Sequence, residues 1–154
     1  MSSYTDSSAV QREAINMLCT RHIGGGSTRE VWTSGLLPDC VVKLESGDQN
    51  FQNVLEWETW QQVKDTKFAS WFAPCKHISA CGVVLVQTLT TVPGMSDLPE
   101  KMPAFFCDFK RSNYGMLNGK LVCHDYGLMY SLIHNGLTKR MRKADWHDNV
   151  TGVL

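Results

Sequence analysis

The chain has 154 residues with 43% apolar side chains, enough for one globular domain with a sizeable core and too apolar for a disordered segment. Its formal net charge is zero, so no global field draws it to nucleic acid or to an anionic membrane surface. No apolar run approaches the roughly 18 residues of a bilayer span, and the polar start Met1–Ser8 lacks the basic flank and apolar stretch of a secretory signal, so a cytoplasmic location is expected.

In chain order, residues 1–8 read as a flexible tail and Ala9–Leu18 as a short leading helix with apolar positions near helical spacing. Cys19–Val31 is strand-like but broken by Gly24-Gly25-Gly26, and Trp32–Glu45 is strand material interrupted by a Pro38-Asp39 turn. Gly47 and Asp48 punctuate the next connection. Gln52–Val63 has helical periodicity, with Leu55, Trp57, Trp60 and Val63 as candidate contacts. Trp71–Ile78 and Gly82–Thr88 read as two strands joined by a tight turn. The proline-rich stretch 91–103 reads as a linker with at most a short helix. Phe105-Phe106 leads into a loop, Gly119–Cys123 is a short strand, and Tyr130–Trp146 reads as a closing helix that Gly136 could break. This order predicts an α+β fold rather than an alternating α/β one.

The six cysteines (Cys19, Cys40, Cys75, Cys81, Cys107 and Cys123) are scattered, which favours reduced, mostly buried thiols. Zinc ligation by Cys75, His77, Cys81, Cys123 and His124 lacks the two close ligand pairs of a structural site.

Two aspartates carry the most chemical information. Asp108 opens a D-x-K-x-x-N segment with Lys110 and Asn113, and Asp125 opens Asp125-Tyr126-Gly127. Phosphoryl transfer is mostly positioning and charge neutralisation, so it needs such a set. One carboxylate orients the attacking hydroxyl and a lysine faces the moving phosphoryl group. An asparagine and a second carboxylate hold Mg²⁺.

Upstream, Gly24-Gly25-Gly26-Ser27-Thr28-Arg29-Glu30-Val31 fits G-x-G-x-x-G-x-V except at Arg29, and Val41-Val42-Lys43 follows on a strand. Taken together and in this order, these segments resemble the protein-kinase-like superfamily. A small lobe is then expected over about 9–90 (an antiparallel sheet plus one helix), the linker over 91–103, and a strongly reduced large lobe over 104–154. The resemblance implies ATP and Mg²⁺ as cofactors and a Ser/Thr protein kinase activity. Gly24, Gly25, Gly26 and Ser27 would cover the triphosphate, and Val31, Thr88 and Leu89 would lie at the nucleotide. Lys43 would bind the α and β phosphates. Asp108 would orient the acceptor hydroxyl, Lys110 would neutralise charge on the transferring group, and Asn113 and Asp125 would hold the metal.

Lys43 then needs an acidic partner on the next helix, where Glu56 and Glu58 compete. The Q-N-x-x-E-x-x-x-W pattern, similar to that of small kinase-like proteins encoded by bacterial viruses, favours Glu56. Phe106 and Cys107 stand where kinases carry His and Arg, which removes the usual coupling to activation-loop phosphorylation. Only 27 residues follow Gly127, too few for a full large lobe. The expected partner is therefore a protein substrate or host protein that supplies its own docking surface, or a second copy that completes the cleft. The alternative is a pseudokinase-like protein that inhibits a host factor by binding. Lys139-Arg140-Met141-Arg142-Lys143 reads as a solvated helix face or as a contact for an acidic partner or a nucleic-acid backbone. His22, His77, His134 and His147 show no site spacing.

Overall fold

The structure, a computed structural model, describes residues 7–26, 28–46, 51–127, 129, 132 and 136–148. They form a small α+β protein with two helices, α1 (Ser7–Leu18) and α2 (Gln52–Val63). The strands are β1 (Arg21–Gly25), β2 (Arg29–Thr33), β3 (Cys40–Glu45), β4 (Cys75–Ile78), β5 (Val84–Thr88), β6 (Lys101–Pro103), β7 (Tyr114–Leu117), β8 (Lys120–Cys123) and β9 (Met141–Lys143). Among the described residues no helix is long and apolar enough to cross a membrane.

The chain divides into two compact units. The first comprises residues 1–53 and 75–89, the second 54–74 and 90–154. One change of unit falls between Leu89 and Thr90, directly after β5; another falls two residues into α2.

The first unit is built on an antiparallel sheet ordered β1-β2-β3-β5-β4. Its central strand β3 opens on the apolar run Cys40-Val41-Val42, and Val41 and Val42 are buried. The register places Val31 opposite Lys43, and Lys43 opposite Leu85. Glu45, at the end of β3, accepts the Gln52 and Asn53 N–H groups at 2.8 and 3.0 Å. A carboxylate there satisfies orphan donors of the helix and complements its positive end. Asn53 is fully buried and joins two strands. Its Oδ1 accepts from Arg29 at 3.3 Å, and its Nδ2 donates to the Lys43 carbonyl at 3.1 Å.

The second unit packs around aromatic rings. Phe68, Phe72, Phe105, Phe106, Tyr114 and Tyr126 meet at centroid distances of 4.8–5.9 Å. The chain Asn118-Gly119 turns β7 into β8, with φ of 51° and 74°. Positive φ at both central residues is what a two-residue hairpin turn matching strand twist requires.

Several boundaries differ from the sequence-based expectation. α1 begins at Ser7, inside the expected tail. Trp71 ends a short 3-10 turn (Ala69–Trp71), and the strand starts only at Cys75. The end of the expected linker is β6, in which Pro103 is tolerated because the ribbon has only two strands. The expected closing helix does not continue through 137–146: Gly136 has φ of 65°, and Met141–Lys143 pairs with Lys101–Pro103 as a strand. Residues 1–6, 27, 47–50, 128, 130, 131, 133–135 and 149–154 lie outside the described set.

Replacing Asn53 with alanine removes both of its buried bonds. We expect a loss of about 1–3 kcal/mol, read as a lower urea midpoint with an unchanged slope; an unaltered midpoint would contradict the bridging role.

Candidate functional site

In the first unit, the sheet register aligns three of the expected phosphate and nucleotide residues. Gly24 pairs with Val31 and Val31 with Lys43, so the row crosses β1, β2 and β3 on one face. The register slips between His22 and Gly24, which bends β1 just before the glycines. The turn itself is tight, with the Gly26 N–H donating to the Arg29 carbonyl at 2.9 Å. Gly25 has a steric reason to be glycine: a Cβ there would stand 2.8 Å from the Arg29 carbonyl oxygen. Gly24 and Gly26 have open space instead, and Ser27 lies outside the described residues.

Arg29, the departure from the glycine pattern, turns inward from the loop. Its side chain is buried and bonds Asn53. Lys43 is itself only 3% exposed. Thr88 ends β5 opposite Cys40, and the Leu89 N–H donates to the Asp39 carbonyl at 2.9 Å. The Leu89 N–H is therefore already engaged within the protein.

In the second unit, hydrogen bonds link Asp108, Lys110, Asn113 and Asp125, with Lys110 and Asp125 joined through their backbone N–H groups. The Lys110 N–H donates to Asp108 Oδ1 at 3.1 Å, the local turn that aspartate favours two residues ahead of a donor. Asn113 Nδ2 donates to Asp108 Oδ2 at 2.9 Å, and buried Tyr114 donates its hydroxyl to the Asp108 carbonyl at 2.9 Å. Burial pushes the Tyr114 phenol far above its usual pKa, so it stays a donor. The Asn113 carbonyl in turn accepts the His124 N–H at 2.9 Å and the Asp125 N–H at 3.3 Å. One residue thus ties the first aspartate to the second.

Asn113 spends its amide nitrogen on Asp108, which assigns its Oδ1 as the oxygen available to a cation. Asp125 is exposed. An amide oxygen plus one carboxylate suits Mg²⁺, which retains several waters and takes few protein ligands. Among the described residues, no three His, Cys, Asp or Glu side chains gather as a metal-binding group.

Glu56 and Glu58 separate cleanly. Glu58 is exposed, while Glu56 is fully buried and its Oε2 accepts the Tyr126 N–H at 3.3 Å. Helix α2 therefore contacts the Asp125-Tyr126-Gly127 segment directly. Tyr126 has a reason to be tyrosine: its hydroxyl donates to the Ala73 carbonyl at 2.6 Å. Phe106 lies in the aromatic cluster, and Cys107 is exposed.

His147 was not legible as a site residue, yet its Nε2 lies 3.4 Å from Asp108 Oδ1. The backbone delivers it there. The His147 N–H donates to the Phe109 carbonyl, and the Arg111 N–H donates to the His147 carbonyl. Arg111 also forms a two-pronged ion pair with Asp148. This pairing holds the Asp148 carboxyl below its ordinary range. His124 was likewise read only as a weak zinc candidate. Its Nε2 donates to the Ser112 carbonyl at 2.8 Å, leaving Nδ1 to meet the Thr90 hydroxyl at 2.7 Å.

A separate cavity of about 490 Å³ in this unit is lined by Ser70, Trp71, Asp97, Pro99 and Lys120 among others, and holds none of the expected site residues. No family model matches the chain, and a comparison with curated proteins found no match.

Gly115 should not tolerate a side chain, since a Cβ would stand 2.1 Å from Thr90 Oγ1 and 3.0 Å from His124 Nδ1. Gly115→Ala is expected to destabilise by about 1–3 kcal/mol and to shift the His124 ring resonances in NMR spectra; wild-type stability with unmoved resonances would contradict that packing. Tyr126→Phe is expected to cost about 1 kcal/mol in chemical denaturation, and no cost would remove the role given to its hydroxyl.

Proposed function

We propose that this protein is a minimal ATP- and Mg²⁺-dependent phosphotransferase of the protein-kinase-like kind, acting on a serine or threonine hydroxyl of a protein. The observation that carries the reading is the Asn113 junction, where one side chain fixes Asp108 and one carbonyl fixes Asp125. Such an arrangement suits chemistry that depends on positioning two carboxylates.

Each residue then has a role. Asp108 orients the acceptor hydroxyl and takes its proton. Its own position is set by Asn113, by the Lys110 N–H and by Tyr114 on its carbonyl. Lys110 sets its ammonium against the charge of the transferring group. Asn113 Oδ1 and the Asp125 carboxylate would hold Mg²⁺, which when bound neutralises phosphate charge. Lys43 binds the α and β phosphates from the central strand, in line with Val31 and Gly24. Glu56 braces the Asp125 segment through Tyr126, and the resemblance makes it the acidic partner of Lys43. A cytoplasmic location, in the host if the chain is viral, accords with six free thiols.

A second reading, binding to a host protein without transfer, draws on one specific contact. Asp108 Oδ1 already meets both the Lys110 N–H and His147. The two readings part in one experiment with labelled ATP, Mg²⁺ and candidate protein acceptors. Transfer is expected, and Asp125→Asn should reduce it by about 10²-fold or more with an unchanged melting temperature. Nucleotide binding without transfer would favour the second reading, and an undiminished rate in Asp125→Asn would eliminate the metal assignment.

A further inference from the structure

The β6–β9 ribbon gathers exposed positive charge. Lys101 lies on β6, and Lys139, Arg140, Arg142 and Lys143 lie on or beside β9, all exposed. Acidic side chains in the same stretch are Glu100 and Asp145, and Asp145 stands 3.7 Å from Lys143 Nζ with both groups largely in solvent. The pairing puts Lys101 directly opposite Lys143. Like charges facing across an antiparallel pair are destabilising. A ribbon that keeps this conflict is built for something other than its own stability.

Two further observations bear on the partner. Among the described residues β9 is paired on one side only, by β6, so its outer edge offers backbone groups with the two-residue repeat of an extended polypeptide. The Arg142 guanidinium lies 5.4 Å from the ring centroid of Phe109, the residue next to Asp108. Four residues beyond β9, His147 meets Asp108 itself. The basic ribbon and the first aspartate therefore belong to one local assembly.

We infer that the β6–β9 ribbon is a docking site for an extended acidic polypeptide segment, and that it selects protein substrates whose acceptor residue is flanked by aspartate or glutamate. The substrate part rests on the phosphotransferase reading above; the docking part does not. The strand edge favours polypeptide over nucleic acid, whose phosphates do not supply alternating N–H and C=O groups. Binding is expected to weaken steeply with salt, because the ribbon's charges are exposed.

The test is fluorescence anisotropy without nucleotide, using a labelled peptide of alternating glutamate and serine, a neutral glutamine counterpart, and a single-stranded oligonucleotide of equal charge. The full chain is expected to bind the acidic peptide at least about tenfold more tightly than either control. Arg142→Ala together with Lys143→Ala should abolish that preference, and Asp125→Asn should leave it intact. Lys101→Glu supplies a signature that a purely structural role would not give: removing the like-charge pair should raise the melting temperature while weakening the acidic peptide. Equal binding of the acidic and neutral peptides, or preference for the oligonucleotide, would overturn the inference. Peptide binding that survives alongside a complete absence of phosphate transfer would keep the docking site and discard the enzymatic reading.

Discussion

The candidate site depends on the placement of Asn113. Its side chain must donate to Asp108 while its carbonyl receives the N–H groups of His124 and Asp125. Both demands are met because residues Arg111–Asn113 form a 3-10 turn that feeds directly into β7, and β8 returns antiparallel to it. The Asn118-Gly119 turn is short enough to bring the end of β8 back to the start of β7, so a single hairpin returns the Asp125 backbone to Asn113. Trp146 adds a second restraint. It packs edge-on against Phe109 and Tyr114 and donates to the Pro99 carbonyl at 2.8 Å, holding the C-terminal segment to the loop that carries Asp108.

In the first unit the comparable constraint is Asn53. A fully buried amide in the first turn of a helix is costly unless both of its ends are used. Here they bind Arg29 on β2 and the backbone of Lys43 on β3. The buried stripe of α2 is correspondingly polar at its start, with Asn53 and Glu56, and apolar at its end, with Val63. Arg29 at the third glycine position follows from this. The position faces the interior beside a polar helix start, where a buried guanidinium has a partner.

Much of the secondary structure was legible because its signals are local. The span of α2 is the expected one, although of the expected contacts Leu55, Trp57, Trp60 and Val63 only Val63 is fully buried, and Asn53 and Glu56 are buried with it. The glycine break between β1 and β2 is visible in the chain. The hairpin β7–β8 carried an equally local signal, Asn118-Gly119 between apolar runs, and only its second strand was read from it. β6 and β9 were not legible for a different reason: each is three residues long and has no apolar alternation, so only their mutual pairing defines them. The basic run of β9 reads as a solvated helix face in the sequence, and only its pairing with Lys101–Pro103 identifies it as a strand. In the site, Asp108, Lys110, Asn113 and Asp125 could be read from spacing, since they sit on one loop and one hairpin. His147, Asn53 and the Thr90–His124 contact could not, because the chain brings them together from distant positions.

A nucleotide–metal role for the Asn113 junction makes the sharpest demand on these residues, and paramagnetic NMR addresses it residue by residue. Mn²⁺ added with a non-hydrolysable ATP analogue should first broaden the amide signals of Asn113, His124 and Asp125, and the Asp125→Asn chain should lose that selectivity. Broadening centred on Asp145 and Asp148, or spread evenly over the exposed carboxylates, would contradict the account.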